Sequence, residues 1–377
     1  MAAYLSGLGF LLVAAISGAA HGALMSSQEF VVQSKDGTGI RGVVDGRAVK
    51  PRVVVIMVSG TGLFDRDVKF GLSNTPRDLL FKDLSSRFGR RNMSVVRYDR
   101  RGVLHGAKGE AALNRIETAT VTVKNQSDDL RAVYDWTLSA NGLGARCVIL
   151  FGHSEGMRHI AGIAESGAPA PLLVVGVGAP MRGPADILRW QMAERGVYSL
   201  RLMDANGDGR ITEVEIEANW HLTPASSFAA FKNGPRPRRT LTESDLQRIG
   251  RAQFLTYARA RAAAHAMDDL APFPDARAPV ARASWWKTWF TDYRPIALRL
   301  ATWPSQVSLH YGEIDSQTPP TLEVPAARKA LGNRIIVQIH AARGHSLGKN
   351  ALLGPIDENV AESIADEISS ATRDCPR

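Results

Sequence analysis

Cys147-Val148-Ile149-Leu150-Phe151-Gly152-His153-Ser154-Glu155-Gly156 decides how the chain is read. Its first half is continuously apolar, the pattern of a strand buried on both faces of a parallel sheet. Its second half fits G-x-S-x-G, and a helix-like pattern runs on through Gly156–Ser166. The pentapeptide alone is weak, since ordinary Gly and Ser usage produces it in roughly one chain in five. Strand, turn and helix in immediate succession give it weight. Such a turn lifts a serine oxygen to the start of a helix, and its glycines let backbones approach closely. Ser154 is the candidate nucleophile, with a tight turn around a structural serine as the bland alternative.

Outward from this stretch, similar apolar runs occur at Arg52–Val58, Met93–Tyr98, Leu172–Val177, Gln306–Tyr311 and Arg334–His340. Helix-like segments separate the earlier ones, at Pro76–Arg90 and Asn125–Ser139. This alternation predicts an α/β fold with a mostly parallel, doubly wound sheet. Glu29–Gln33 and Gly39–Val44 alternate polar with apolar and suit an antiparallel edge hairpin.

A serine alcohol needs a base, and the base needs an orienting carboxylate. His345, in Gly344-His345-Ser346-Leu347, follows the last predicted strand. His310 and His340 fall within strands and read as core or face residues. Asp315, in Gly312-Glu313-Ile314-Asp315, follows the preceding strand, with Glu313 as competitor. Ser154, Asp315 and His345 follow one another in that order along the chain. Two backbone N–H groups must also face the developing oxyanion. The candidates are Glu155, next to the nucleophile, and Thr61 in Ser59-Gly60-Thr61-Gly62, with Gly62 second.

After Val177 the alternation stops, and roughly 120 residues pass before the next strand, too many for a connection. This predicts an inserted helical module over 183–304, between core segments 23–182 and 305–377. Within it, Asp204-Ala205-Asn206-Gly207-Asp208-Gly209-Arg210-Ile211-Thr212-Glu213-Val214-Glu215 matches D-x-[DN]-x-[DN]-G-x₅-E at every fixed position. Chance produces that in only about one chain in a thousand. Asp204, Asn206 and Asp208 would offer side-chain oxygens and Arg210 its carbonyl. Thr212 would act through water, and Glu215 would close a calcium site. The loop resembles an EF-hand. No second loop matches, so calcium is expected to brace the module rather than to signal. Ser284-Trp285-Trp286-Lys287-Thr288-Trp289-Phe290 is aromatic on several helical faces and could pack the module or line a pocket.

Taken together, these blocks resemble bacterial exported α/β-hydrolases, namely esterases and serine aminopeptidase-like hydrolases with a Ser-Glu-Gly elbow. The resemblance is carried by the elbow, Ser59-Gly60-Thr61-Gly62 with Asp65-Arg66-Asp67, Phe81-Lys82-Asp83-Leu84, Val96-Arg97-Tyr98-Asp99-Arg100-Arg101-Gly102, Tyr311–Asp315 and Gly344-His345. It covers about 53–180 and 286–347. It implies the α/β-hydrolase fold, a helical lid and hydrolysis of an ester by Ser154, Asp315 and His345. Amide hydrolysis of a short peptide-like substrate is the second possibility, with Glu213, Glu215 or Glu217 to hold a substrate amine. A calcium-dependent binding protein on an inert scaffold is the third. Met157 stands where that subgroup often has glycine, and Tyr293-Arg294-Pro295 where it often has Tyr-Asp-Pro.

The chain has 377 residues, 45% hydrophobic and 22% charged, with a formal net charge of +9. The basic residues are dispersed apart from Arg236-Pro237-Arg238-Arg239, so no nucleic-acid partner is expected. Ala2 to Ile16 is apolar, and small residues follow to Gly22. Residues 1–22 read as a signal peptide that lacks a basic start, which predicts export to the periplasm or beyond, with an uncleaved membrane anchor as the alternative for which the apolar run is short. No later stretch is long and apolar enough for stable membrane insertion. Cys147 and Cys375 are the only cysteines, and both are expected to be free thiols, with a disulfide between them the less favoured alternative.

Overall fold

The computed structural model describes residues 26–47, 50–70, 75–219, 222, 240–273, 281–350, 352 and 354–376. The expected leader at 1–22 and the basic patch Arg236-Pro237-Arg238-Arg239 lie outside the described residues.

Eight strands form the central sheet: β1 (Ser27–Gln33), β2 (Gly39–Asp45), β3 (Val53–Val58), β4 (Ser94–Tyr98), β5 (Cys147–His153), β6 (Leu173–Val177), β7 (Gln306–Gly312) and β8 (Ile335–His340). Their spatial order is β1-β2-β4-β3-β5-β6-β7-β8. β1 and β2 make the expected antiparallel edge hairpin, and β2 joins β4 antiparallel. From β4 onward all pairs are parallel, with Val58 opposite Gly152 and His153 opposite Val177.

All six residues of β3 are buried, because helices cover both faces. The period-2 geometry sorts them. Val54, Ile56 and Val58 join Leu150, Val174 and Leu309 in one core, against helices Val123–Leu138 and Gly156–Glu165. Val53, Val55 and Met57 join Ile149, Phe151 and Val175 in the other, against helices Leu80–Gly89 and Glu358–Ala371. Met157 is fully buried beside Gly176, where a Cβ would stand 2.5 Å from its Cε.

The cysteines are paired, which corrects the expectation of two free thiols. Cys147 and Cys375 form a disulfide across 228 residues of sequence, with Cα atoms 6.0 Å apart. The cause is long-range packing. The last helix crosses one face of the sheet and delivers Cys375 to the start of β5, where Arg52 holds its carbonyl.

Between β6 and β7 the described residues are mostly helical, with two small two-stranded ribbons among them. Helix Pro184–Arg189 passes through a π turn at Trp190–Glu194 into helix Arg195–Arg201. Helices Glu243–Ala266 and Ala283–Thr291 follow. Trp285, Trp289 and Phe290 belong to the same core as the sheet, so the insertion is seated on the domain. No helix among the described residues is long and apolar enough to cross a membrane.

Candidate active site

The turn at Ser154 shows why the elbow sequence is what it is. Ser154 adopts φ +52°, a left-handed conformation that costs energy for a residue with a side chain. Its N–H bonds the carbonyl of Val177 at 2.9 Å, and the helix starts at Gly156. A Cβ on Gly156 would lie 2.2 Å from the carbonyl oxygen of Val58, so only glycine fits there. A Cβ on Gly60 would lie 2.9 Å from that of Ser154, so the loop after β3 passes directly against the serine.

Asp315 and His345 meet at the ends of β7 and β8. His345 Nδ1 lies 2.9 Å from Asp315 Oδ2, and both residues are buried. The amides of Gln317 and Thr318 donate to Asp315 Oδ1 at 2.8 and 3.1 Å. The Thr318 hydroxyl lies 2.9 Å from Oδ2. Burial alone would raise the Asp315 pKa. The His345 charge and these hydrogen bonds outweigh it and hold the carboxyl below the usual carboxylate value. Glu313, the competitor, is exposed and accepts a hydrogen bond from the Ala342 amide at 2.9 Å.

Ser154, Glu155, Thr61 and His345 line one cavity of about 320 Å³. Trp285, Trp286, Trp289, Phe64 and Phe70 give it an apolar wall, and Gln191 and Gln317 a polar one. The insertion supplies the tryptophans and Gln191. It is also tied to the acid loop, through Trp190 Nε1 to the Ser316 carbonyl at 2.9 Å. None of Glu213, Glu215 and Glu217 contributes to that wall.

Several residues here carried no role in the sequence. Arg100 contacts Glu155 and the carbonyl of Gly60. Thr318 supports the Asp–His pair. His153 sits beside His345 with ring centroids 5.3 Å apart, and burial and the His345 charge push its pKa well down, keeping it neutral. His310 and His340 stack at the far side of β7, where His310 lies 3.3 Å from Glu367. Arg100 stood inside a quoted block, and Thr318 lies three residues past Asp315. Neither has a local pattern that sets it apart.

The loop Asp204–Glu215 is mostly exposed, apart from the buried Ile211, and is folded on itself. Asp204 accepts hydrogen bonds from the amides of Asp208 and Gly209 at 3.2 and 2.9 Å, and Asn206 Oδ1 from Asp208 at 2.9 Å. Asp208 accepts from the Arg210 amide at 2.8 Å. Glu215 accepts from Ala205 at 3.1 Å and Thr212 at 2.9 Å. Gly207 and Gly209 take φ +71° and +76°. Among the described residues no three His, Cys or carboxylate side chains already stand at metal-binding separations. Arg210–Thr212 pairs antiparallel with Thr240–Thr242, Ile211 facing Leu241. The loop thus has a structural partner strand that the sequence did not disclose.

Three solved structures are similar along nearly the whole chain. The first is a carboxyl esterase from Bacillus coagulans, 15% identical, with TM-score 0.51, covering 93% of this chain and 99% of that one. The second is the α/β-hydrolase GrgF from Penicillium sp. sh18, 14% identical, with TM-score 0.50 and the same coverage. The third is DcsB, solved with a substrate analogue, 16% identical, with TM-score 0.50, covering 93% and 100%. The chain has the α/β-hydrolase fold. No protein-family model and no curated protein sequence matches it. In that fold Ser154 sits at the turn after β5, Asp315 follows β7 and His345 follows β8.

Proposed function

We propose that this α/β-hydrolase-fold chain is a serine hydrolase that cleaves carboxylic esters of small molecules. The observation that carries the reading is the buried Asp315–His345 pair, 2.9 Å apart, on a cavity whose wall includes Ser154 at a strained elbow. Ser154 Oγ attacks the ester carbonyl as its proton passes to His345 Nε2. Asp315 orients the ring and offsets the charge it gains. The amides of Glu155 and Thr61 donate to the oxyanion. The alcohol leaves with the proton, and water releases the acid by the same steps. The aromatic wall suits an apolar or aromatic acyl group. Esters are favoured over peptides because, among the described residues, the cavity has no spare carboxylate for a substrate amine. Glu155 is engaged by Arg100 and Asp315 by His345.

Calcium fits the chemistry of the 204–215 loop, whose candidate donors Asp204, Asn206, Asp208, Arg210, Thr212 and Glu215 are all hard oxygens. Binding it requires those oxygens to exchange backbone N–H groups for the ion. The ion would brace the insertion, since helix Arg195–Arg201 ends just before the loop and Arg195 bonds Gln317 of the cavity wall. Export is supported by the apolar start of the sequence and by the disulfide, which belongs in an oxidising compartment. The test is a fluorophosphonate probe together with p-nitrophenyl esters. Wild type is expected to be labelled and active, and Ser154→Ala to be neither. An unlabelled, inactive wild type in the presence of calcium would instead indicate a binding protein on an inert scaffold.

A further inference from the structure

The proposed chemistry uses only the amide of Glu155, yet its carboxylate is among the most enclosed charges in the molecule, with its side chain 1% exposed. Four segments converge on it. Arg100, from the loop after β4, places Nη1 and Nη2 3.3 and 3.4 Å from Oε2. The Trp285 indole N–H, from the insertion, donates to Oε1 at 3.1 Å. The Thr61 side chain also acts on this carboxylate, helping to lower its pKa. His159, one helical turn on, lies 3.8 Å from Oε1. Arg100 also donates to the carbonyl of Gly60, the residue before Thr61.

A buried carboxylate is costly unless its oxygens are satisfied. Here burial alone would raise the pKa, but the Arg100 charge and the hydrogen bonds bring it below the ordinary glutamate value, so the group stays ionised. An ionised group gripped by Arg100 and Trp285, and acted on by Thr61, holds three segments in register. Thr61 lies in the oxyanion loop, Arg100 holds that loop through the Gly60 carbonyl, and Trp285 belongs to the aromatic wall against which an acyl group would lie. We propose that the Glu155 carboxylate is a positioning residue that couples the seating of Trp285 to the placement of the Gly60-Thr61 loop. A substrate that packs on the tryptophan wall presses Trp285 onto Glu155 and fixes the oxyanion donors. A substrate too short to reach the wall leaves them looser. Reach toward the wall then appears in kcat and not only in KM, because remote contacts are spent on the transition state. This rests on Ser154 as nucleophile and on the Glu155 and Thr61 amides as oxyanion donors.

The test is Trp285→Phe in the full chain, which keeps an aromatic ring in the wall and removes the indole donor. Hydrolysis of p-nitrophenyl butyrate is measured beside hydrogen–deuterium exchange of the 59–64 segment. The expected result is a kcat about tenfold lower, the worth of one hydrogen bond to a charge, with KM within about twofold and faster exchange at 59–64. Glu155→Gln should show the same signature more strongly if it folds, and if it does not, Trp285→Phe decides. A raised KM with kcat intact, or unchanged exchange at 59–64, overturns the coupling. The two ideas fail separately. An unlabelled Ser154 in wild type sinks the hydrolase reading, while the exchange comparison still decides whether Glu155 ties the wall to the loop.

Discussion

Replacing Asp315 with asparagine exchanges one carboxylate oxygen for an NH₂ group at nearly constant volume. In the wild type, Oδ1 takes the amides of Gln317 and Thr318, and Oδ2 faces His345 Nδ1 and the Thr318 hydroxyl, each at 2.9 Å. Asparagine can keep the first pair with its oxygen. Its NH₂ then points at His345 Nδ1 and needs an acceptor there. The ring proton must move to Nε2, the atom that the proposed mechanism needs free to take the proton of Ser154. The imidazolium formed during attack also loses its counter-charge. A wrong tautomer and a missing charge together lower kcat by about 10⁴, or about 5.5 kcal/mol. Stability should change far less, by about 1–2 kcal/mol, because the buried site gives up a charge as well as a partner. The assay is kcat on a p-nitrophenyl ester alongside thermal unfolding. Glu313→Gln, at the exposed competitor, should keep activity within about twofold. Retention of more than a tenth of wild-type kcat by Asp315→Asn, or an equal loss in Glu313→Gln, would refute the assignment.

Chelation should lower the melting temperature by about 3 °C at millimolar calcium. An extracellular-type site with Kd of about 0.1 mM adds about 1.4 kcal/mol. Glu215→Gln should abolish the difference between calcium and chelator, and a wild type indifferent to chelator would show that the loop braces nothing. Acid should destabilise the fold well above the carboxylate range. His159 is held neutral by burial, its pKa pushed down to about 3, and His153 is depressed in the same direction. Both titrate near 6.5 when unfolded. Below that pH the unfolded chain binds protons that the native state refuses, so stability falls as pH falls, by about 1.4 kcal/mol per unit for His159. At pH 5 His159 alone contributes a loss of about 2 kcal/mol, and His153 adds to it in the same direction. Glu155 and Asp315, both lowered on folding, add losses only below about 4.5. Denaturant midpoints at pH 7.5 and pH 5 read the effect, and equal midpoints would contradict it.

What the sequence disclosed and what it hid divide along the range of the interactions. The all-buried strand Val53–Val58 was legible because both faces of a parallel strand must be apolar. The elbow was legible because strand, turn and helix adjoin. Pro76–Arg90, expected as one helix, is broken at Leu79 into a short 3₁₀ turn and the helix Leu80–Gly89. The amides of Leu80 and Phe81 are drawn off to the carbonyls of Val68 and Asp67, partners that helical periodicity does not reveal. The disulfide was missed for the same kind of reason, since only the packing of the last helix brings residue 375 to residue 147. The loop at 204–215 was readable as a ligand pattern, whereas its pairing with Thr240–Thr242 depends on a return of the chain 30 residues later.

The candidate site shows both cases within a single residue. The amide of Glu155 is placed by its immediate neighbours, so the elbow motif alone nominates it as an oxyanion donor. Its carboxylate takes meaning only from residues 61, 100 and 285, on three elements that the fold assembles. A sequence motif can nominate the proposed nucleophile because the geometry there is set within five residues. The proposed coupling of a pocket wall to that serine depends on tertiary contact. Substitutions at Arg100 and Trp285, which no motif singles out, are therefore expected to alter turnover with the elbow and the Asp315–His345 pair intact.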